Sequence, residues 1–324
     1  MFGGLTTFQI ARQTSGRVAV TDMTSFHPIP LISDTIETQI AELVSDGMRA
    51  RFDEGAIQQG LVSAQGDVSF RWAPSIIPVF FRAFTAVIST TALGSGDQHF
   101  LVPTQTEFDN DFSVTPHTIE SYRDGQLAHQ YLDACMNRLT VEFRGGQLLG
   151  GTATFMARTS SGKAATAPTY RTETDFTGNQ ASVSLGGVGW PHFEVLTLTF
   201  DNALEYVATL DGSDSPRRIK RGGLRTVRIG GTIDIPVTSA GGMWADFRAG
   251  TERQLIVTAE GGTSISSGVF NRMKIDVPTF RYSTWPVGVT GPGRVTVGFA
   301  GRAVYNAGSG MLCLLSAQNS WALY

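Results

Sequence analysis

Charge is what this sequence has least of. Only 16% of its 324 residues are Asp, Glu, Lys or Arg, against about 25% in typical soluble domains. So much uncharged surface is what contacts between subunits would hide. Hydrophobic residues, at 41%, exclude a chain disordered for want of apolar side chains. Yet no stretch approaches the ~18 consecutive apolar residues of a membrane-spanning helix. No basic segment followed by an apolar run opens the chain at Met1, so neither secretion nor an exported membrane barrel is expected, and synthesis is expected in the cytoplasm. A broad basic field is missing too. With a formal net charge of −3 and a pI near 6.0, general attraction to nucleic acid is not expected.

Catalytic signatures are equally sparse. The two cysteines, Cys135 and Cys313, form no C-x-x-C pair and read as buried thiols, with their bonding left open. His27, His99, His117, His129 and His192 show no metal-ligand spacing. Asp109-Asn110-Asp111 lacks the remaining positions of a calcium loop. There is no G-x-S-x-G elbow, and Gly186-Gly187-Val188-Gly189 is too short for a dinucleotide loop. No catalytic, cofactor-binding or metal-ligating residue is nominated, and the chain reads as a non-enzyme.

What the chain does have is strand-and-turn chemistry, with 37 Gly and many Thr, Val and Phe. Residues 61–72 alternate strictly, with Val62, Ala64, Gly66, Val68, Phe70 and Trp72 on one face, the period of a half-buried strand. Residues 74–87 break that period. There Ile77, Phe80, Phe81 and Phe84 recur at helical spacing, read as core rather than as an exposed stripe. A polar loop is expected over 94–111. Strands follow over 112–121, 127–135, 138–143 and 152–158. Beyond a Thr/Ser/Ala/Gly-rich segment come a clean strand at 193–200, a loop at 211–223 and a long strand at 224–237. A short helix at 243–248, with Trp244 and Phe247 as core, and strands at 254–259, 273–280 and 294–304 complete the set.

Two halves correspond. Asn137-Arg138-Leu139-Thr140-Val141-Glu142-Phe143 matches Asn271-Arg272-Met273-Lys274-Ile275-Asp276-Val277, and Gly151–Arg158 matches Val295–Arg302. Upstream, Gly66-Asp67-Val68-Ser69-Phe70 leads to a helix with Phe81-Arg82-Ala83, as Gly231-Thr232-Ile233-Asp234-Ile235 leads to one with Phe247-Arg248-Ala249. Four matches in one order argue for duplication. The expected plan is an extended arm (1–33), a first β domain (34–160), a linker or excursion (161–190), a second β domain (191–306) and a docking tail (307–324).

The strand running through a proline into an apolar helix, Leu132–Phe143 and the closing segment 145–157 together resemble the tail tube proteins of long-tailed bacteriophages. The resemblance implies a mainly β fold: two tandem β-sandwich tube-type domains, each flanked by a short helix, whose inner sheets join those of neighbours into a β-barrel ring. It implies a structural virion protein of the tail, self-assembling into stacked rings that conduct DNA without binding it specifically. A trimeric ring with pseudo-sixfold symmetry follows from the duplication; if the second half is a decoration domain, the ring is a hexamer. Partners implied are further copies of the chain and other tail proteins (tape measure, terminator, distal tail), with no membrane. Candidate contacts between subunits or rings are Arg217, Arg218, Lys220 and Arg221 in a glycine-flanked loop, and Trp321 and Tyr324 in the apolar tail. The other readings are a β-sandwich binding module, such as an adhesin or carbohydrate-binding protein, and a glycan-cleaving enzyme on a β scaffold.

Overall fold

The computed structural model describes residues 6–22, 25–44, 57–123, 127–164, 167–234, 240–285 and 296–320. The chain is mainly β, and its described residues hold two α-helices, Ile77–Thr85 and Ala240–Ala249.

One long antiparallel layer dominates. It begins with Glu37–Val44 paired to Ile57–Arg71 and continues through Gly150–Ala157 to the second part of Leu127–Arg144. It then crosses into the second half through Phe193–Asp201. Thr226–Asp234, Thr296–Ala303 and the end of Val269–Thr284 complete it. The two-residue period decides its faces. Val68, Phe70, Leu139, Val141, Ala153, Phe155, Leu196, Leu198, Phe200, Val227, Ile229 and Val297 are buried on one side. Asp67, Ser69, Arg138, Thr140, Thr152, Thr197, Thr199, Arg228 and Gly298 occupy the other, half-buried or exposed.

A second layer covers the apolar side. Residues 272–276 of the long strand Val269–Thr284 lie between Arg253–Ser266 and Leu314–Asn319. Leu314–Asn319 then pairs with Gly96–Pro103, which pairs with Ala86–Leu93. The near-C-terminal strand therefore ties the second half to the first. The first helix is packed against this layer and Leu127–Arg144. Phe80 lies flat on Phe70, with ring centroids 3.9 Å apart, and edge-on to Trp72 at 6.0 Å. Phe80, Phe81 and Phe84 are fully buried; they are core, as their spacing predicts.

Leu127–Arg144 serves two sheets. Its first part pairs with His117–Arg123 and Thr159–Gly162, its second with the long layer. Asp133 takes a positive φ of 58° between the two parts, a conformation that Asp tolerates better than most residues. Within the N-terminal 33 residues, Thr7–Arg12 adds to His117–Arg123 and buries Phe8 and Ile10 on the chain's own first half.

Several expectations need correction. The polar loop expected over 94–111 contains the strand Gly96–Pro103. Its Asp97-Gln98-His99 opening looks like loop, but His99 is fully buried between flanking strands. The helix expected to 87 ends at Thr85, and the segment 86–93, rich in β-branched residues, continues as strand, as such residues favour. The second helix is longer than expected and leaves Trp244 42% exposed, so that ring is not core. The loop expected over 211–223 contains the strand Arg218–Arg221, paired with Leu204–Val207.

Candidate functional site

In the long layer, the segments around Gly66 and Gly231 that match in sequence also share their register, whereas residues 138–142 lie in this layer and the matching 272–276 lie in the second layer. Phe155 stands opposite Gly66, and Phe299 stands opposite Gly231; Thr152 faces Ser69 as Thr296 faces Asp234. The close approaches repeat as well. A Cβ on Gly66 would lie 2.4 Å from the Thr35 carbonyl oxygen and 2.5 Å from the Ile36 Cα. A Cβ on Gly231 would lie 2.1 Å from the Val195 carbonyl oxygen and 3.2 Å from the Leu196 Cα. The segment 31–44, interrupted at Thr35 and Ile36, thus meets Gly66 as Phe193–Asp201 meets Gly231. The correspondence stops at the closing strands. Residues 144–149 form a tight turn into Gly150–Ala157, whereas Val269–Thr284 meets Thr296–Ala303 only through residues 280–284.

The junction between the halves is the pairing of residues 138–144 with 195–201. Phe84 of the first helix covers it, edge-on to Phe200 at 5.5 Å. The equivalent strand in the first half is an outer edge among the described residues. Glu37–Val44 is exposed along its whole length, with Ile40 55%, Leu43 57% and Val44 49% exposed. An unpaired edge bearing apolar side chains invites another strand. At the far end, the outer side of residues 281–284 has no strand partner among the described residues. Trp244 and Phe247 of the second helix lie nearby, their rings tilted and 5.6 Å apart.

The nominated basic run folds back on its own chain. Arg218 Nε donates to Asp111 at 3.2 Å, and Lys220 Nζ to Glu107 at 2.6 Å and to the Asp109 carbonyl. Arg217 lies 3.9 Å from Asp111, which Arg17 also meets at 2.7 Å. Lys220 holds the Glu107 carboxyl below its ordinary range. Arg221 is half-buried, and its Nε and one terminal nitrogen lack partners among the described residues. These cations clamp the loop after Gly96–Pro103 onto residues 217–221, around the fully buried Phe112 and Ile219. The Arg217 and Arg218 side chains keep 40% and 45% of their surface open. Trp321 and Tyr324 lie outside the described residues.

Both cysteines are buried and free. Burial pushes the Cys135 thiol well above its usual value and the Cys313 thiol up to about 12, so both stay protonated and poorly nucleophilic. No cluster of three His, Cys, Asp or Glu side chains among the described residues could hold a metal ion. No described helix is long and apolar enough to cross a membrane. The edge at Glu37–Val44 is legible in the sequence only as mixed character; its exposure follows from the layer ending there.

The sequence matches a family model described as phage tail tube protein over residues 3–303, a span that takes in both halves. No curated protein matches the chain.

Proposed function

The chain belongs to the phage tail tube protein family, and from that premise we propose that its copies close through their free sheet edges into rings that stack around a DNA channel. Membership makes it a structural, non-enzymatic component of the virion tail. The closure is our reading, and the observation that carries it is the repeat of register and close contacts between Gly66 and Gly231.

Within one chain, the first half joins the second through residues 138–144 and 195–201. By the repeat, the second half of one copy would join the first half of the next in the same sense. The end of Val269–Thr284 would meet Glu37–Val44, and the second helix would cover Ile40 as Phe84 covers Phe200. Closing in this way removes every free edge of the long layer. Two halves per chain favour a trimeric ring with pseudo-sixfold symmetry. The polar side of the layer, opposite the helices, would line the channel. Arg217 and Arg218, still partly open, and the tail with Trp321 and Tyr324 are proposed to contact neighbouring subunits or rings, and the tube's ends to meet other tail proteins.

The test is electron microscopy and sedimentation of the purified chain beside Ile40→Asp/Leu43→Asp. Rings or tubes with an open channel and threefold symmetry are expected from the parent chain. The variant should stay monomeric with unchanged circular dichroism and melting, because both side chains are exposed in the single chain. A parent chain that stays monomeric at high concentration, or a variant that assembles normally, would refute the closure. Sixfold rings would refute the pseudo-sixfold trimer.

A further inference from the structure

The polar side of the long layer carries hydroxyls, glycine and scattered charges, and one row of it gathers arginines. Ser69, Thr152, Thr140 and Thr199 follow one another across four strands in direct register. The same row then continues from Thr199 to Arg228, Arg302 and Arg281. Like charges placed directly opposite destabilise a sheet. On this side, Arg138 pairs with Asp201 at 2.9 Å and Arg144 with Glu142 at 2.7 Å, while Arg71 donates to the Leu148 carbonyl oxygen. Arg228 and Arg302 are exposed and form no ion pair with a described carboxylate. Arg281 reaches aside, its guanidinium nitrogen 2.7 Å from where a Cβ on Gly250 would stand.

The repeat sharpens the contrast. Arg302 corresponds to Arg158, which Asp133 neutralises at 2.7 Å; the position corresponding to Asp133 is Ser267, with no charge. Arg228 and Arg302 flank an open concavity of about 340 Å³, floored by Gly230 and Ala300 and edged by Thr197 and Thr199. Guanidinium forks beside hydroxyl donors, with no large side chain between them, match the phosphate diester in geometry and charge.

We propose that Arg228 and Arg302 form a phosphate contact for double-stranded DNA, weak and independent of sequence. It rests on the reading that this side of the layer faces the channel. Contact comes once per chain, from the second half alone, so the ring would touch the duplex at a few separated points. Few contacts leave the affinity low and salt-sensitive, which suits a conduit that guides DNA without holding it.

The experiment measures binding of a short labelled DNA duplex by fluorescence anisotropy at low ionic strength. It compares the parent chain, Arg228→Ser/Arg302→Ser, and Arg71→Ser/Arg144→Ser as a control on the same side. The parent chain should bind weakly, with a slope of log affinity against log salt of about −1.8 for two phosphates. The Arg228/Arg302 variant should lose at least tenfold in affinity while the control stays within twofold. No binding by the parent chain, or equal binding by the Arg228/Arg302 variant, would overturn the assignment. Tighter binding of poly-glutamate than of duplex would also overturn it and point to an acidic protein instead. Ring formation is scored separately by microscopy: duplex binding lost from variant rings that still form supports the contact, and binding by a parent chain that never assembles supports it while refuting the channel.

Discussion

Asp133 and Arg158 form a buried ion pair at the point where one strand leaves one sheet for another. The Asp133 carboxylate is fully buried and lies 2.7 Å from Arg158 Nε. Its other oxygen accepts the Arg17 backbone N–H at 2.6 Å, and Arg158 also donates to the Ser215 hydroxyl at 3.2 Å. One side chain therefore fastens the N-terminal segment, the strand junction and the loop before Arg218–Arg221. Removing only the acid leaves a guanidinium just 15% exposed without its partner.

Asp133→Asn is accordingly expected to destabilise the chain by about 3–5 kcal/mol, the cost of breaking a buried pair from one side. Arg158→Met combined with Asp133→Asn should recover part of that loss, because no isolated charge then stays buried. Urea unfolding of the two single variants and the double variant measures the coupling. A single-variant loss below about 1 kcal/mol, or strict additivity, would show that the pair does not hold the junction.

The two helices and the alternating strands are readable in the sequence, because each rests on a local period. Phe80, Phe81 and Phe84 at helical spacing, or Val68 and Phe70 two apart, declare their burial without knowledge of partners. What stays hidden depends on partners distant in sequence. Gly96–Pro103 lies between its neighbour Ala86–Leu93 and Leu314–Asn319, and the latter, which buries His99, is more than two hundred positions away. Arg217, Arg218 and Lys220 stand out as a charge run, but Asp111 and Glu107, which meet them, carry no local signal. Arg228 and Arg302 become neighbours only through strand register. Trp244 departs from its expected burial because an aromatic at helical spacing looks the same whether its own core or another copy covers it.

Acid should weaken this fold early. His117 is fully buried, and burial, with help from Arg12 and Arg82, lowers its pKa from 6.5 to about 3. His27 falls from 6.5 to about 4, through burial and then Arg171 and Arg82. Both are bases held neutral in the folded chain, so between these values and 6.5 the unfolded chain binds more protons. Stability then falls as pH drops from about 6.5 toward 3, and it is fully present above that window. The loss from His117 alone is on the order of a few kcal/mol. Melting temperature against pH checks this. His117→Gln should flatten the decline between pH values of about 6 and 4, the stretch in which an unperturbed imidazole charges. An unchanged slope in that variant would remove His117 as its source.

Gly66 and Gly231 make the final test of the repeat, since equivalent positions should fail in the same way. At both, an added methyl would meet the backbone of the adjoining segment: the Thr35 carbonyl oxygen, in the break between Leu31–Asp34 and Glu37–Val44, at 2.4 Å, and the Val195 carbonyl oxygen at 2.1 Å. Neither obstacle is a flexible side chain, so the strands themselves must part. Gly66→Ala and Gly231→Ala are each expected to lose about 1–3 kcal/mol, the range for overpacking a fitted site. Gly298→Ala is the control, because nothing lies within 4 Å of the point where its Cβ would stand; there the substitution should be neutral or gain up to about 1 kcal/mol through the unfolded chain. Denaturant midpoints of the three variants decide the matter. Equal losses at Gly66 and Gly231 beside a neutral Gly298 would show two halves built on one close-packed strand crossing, whereas a loss at only one glycine would mean that the shared register does not carry a shared packing constraint.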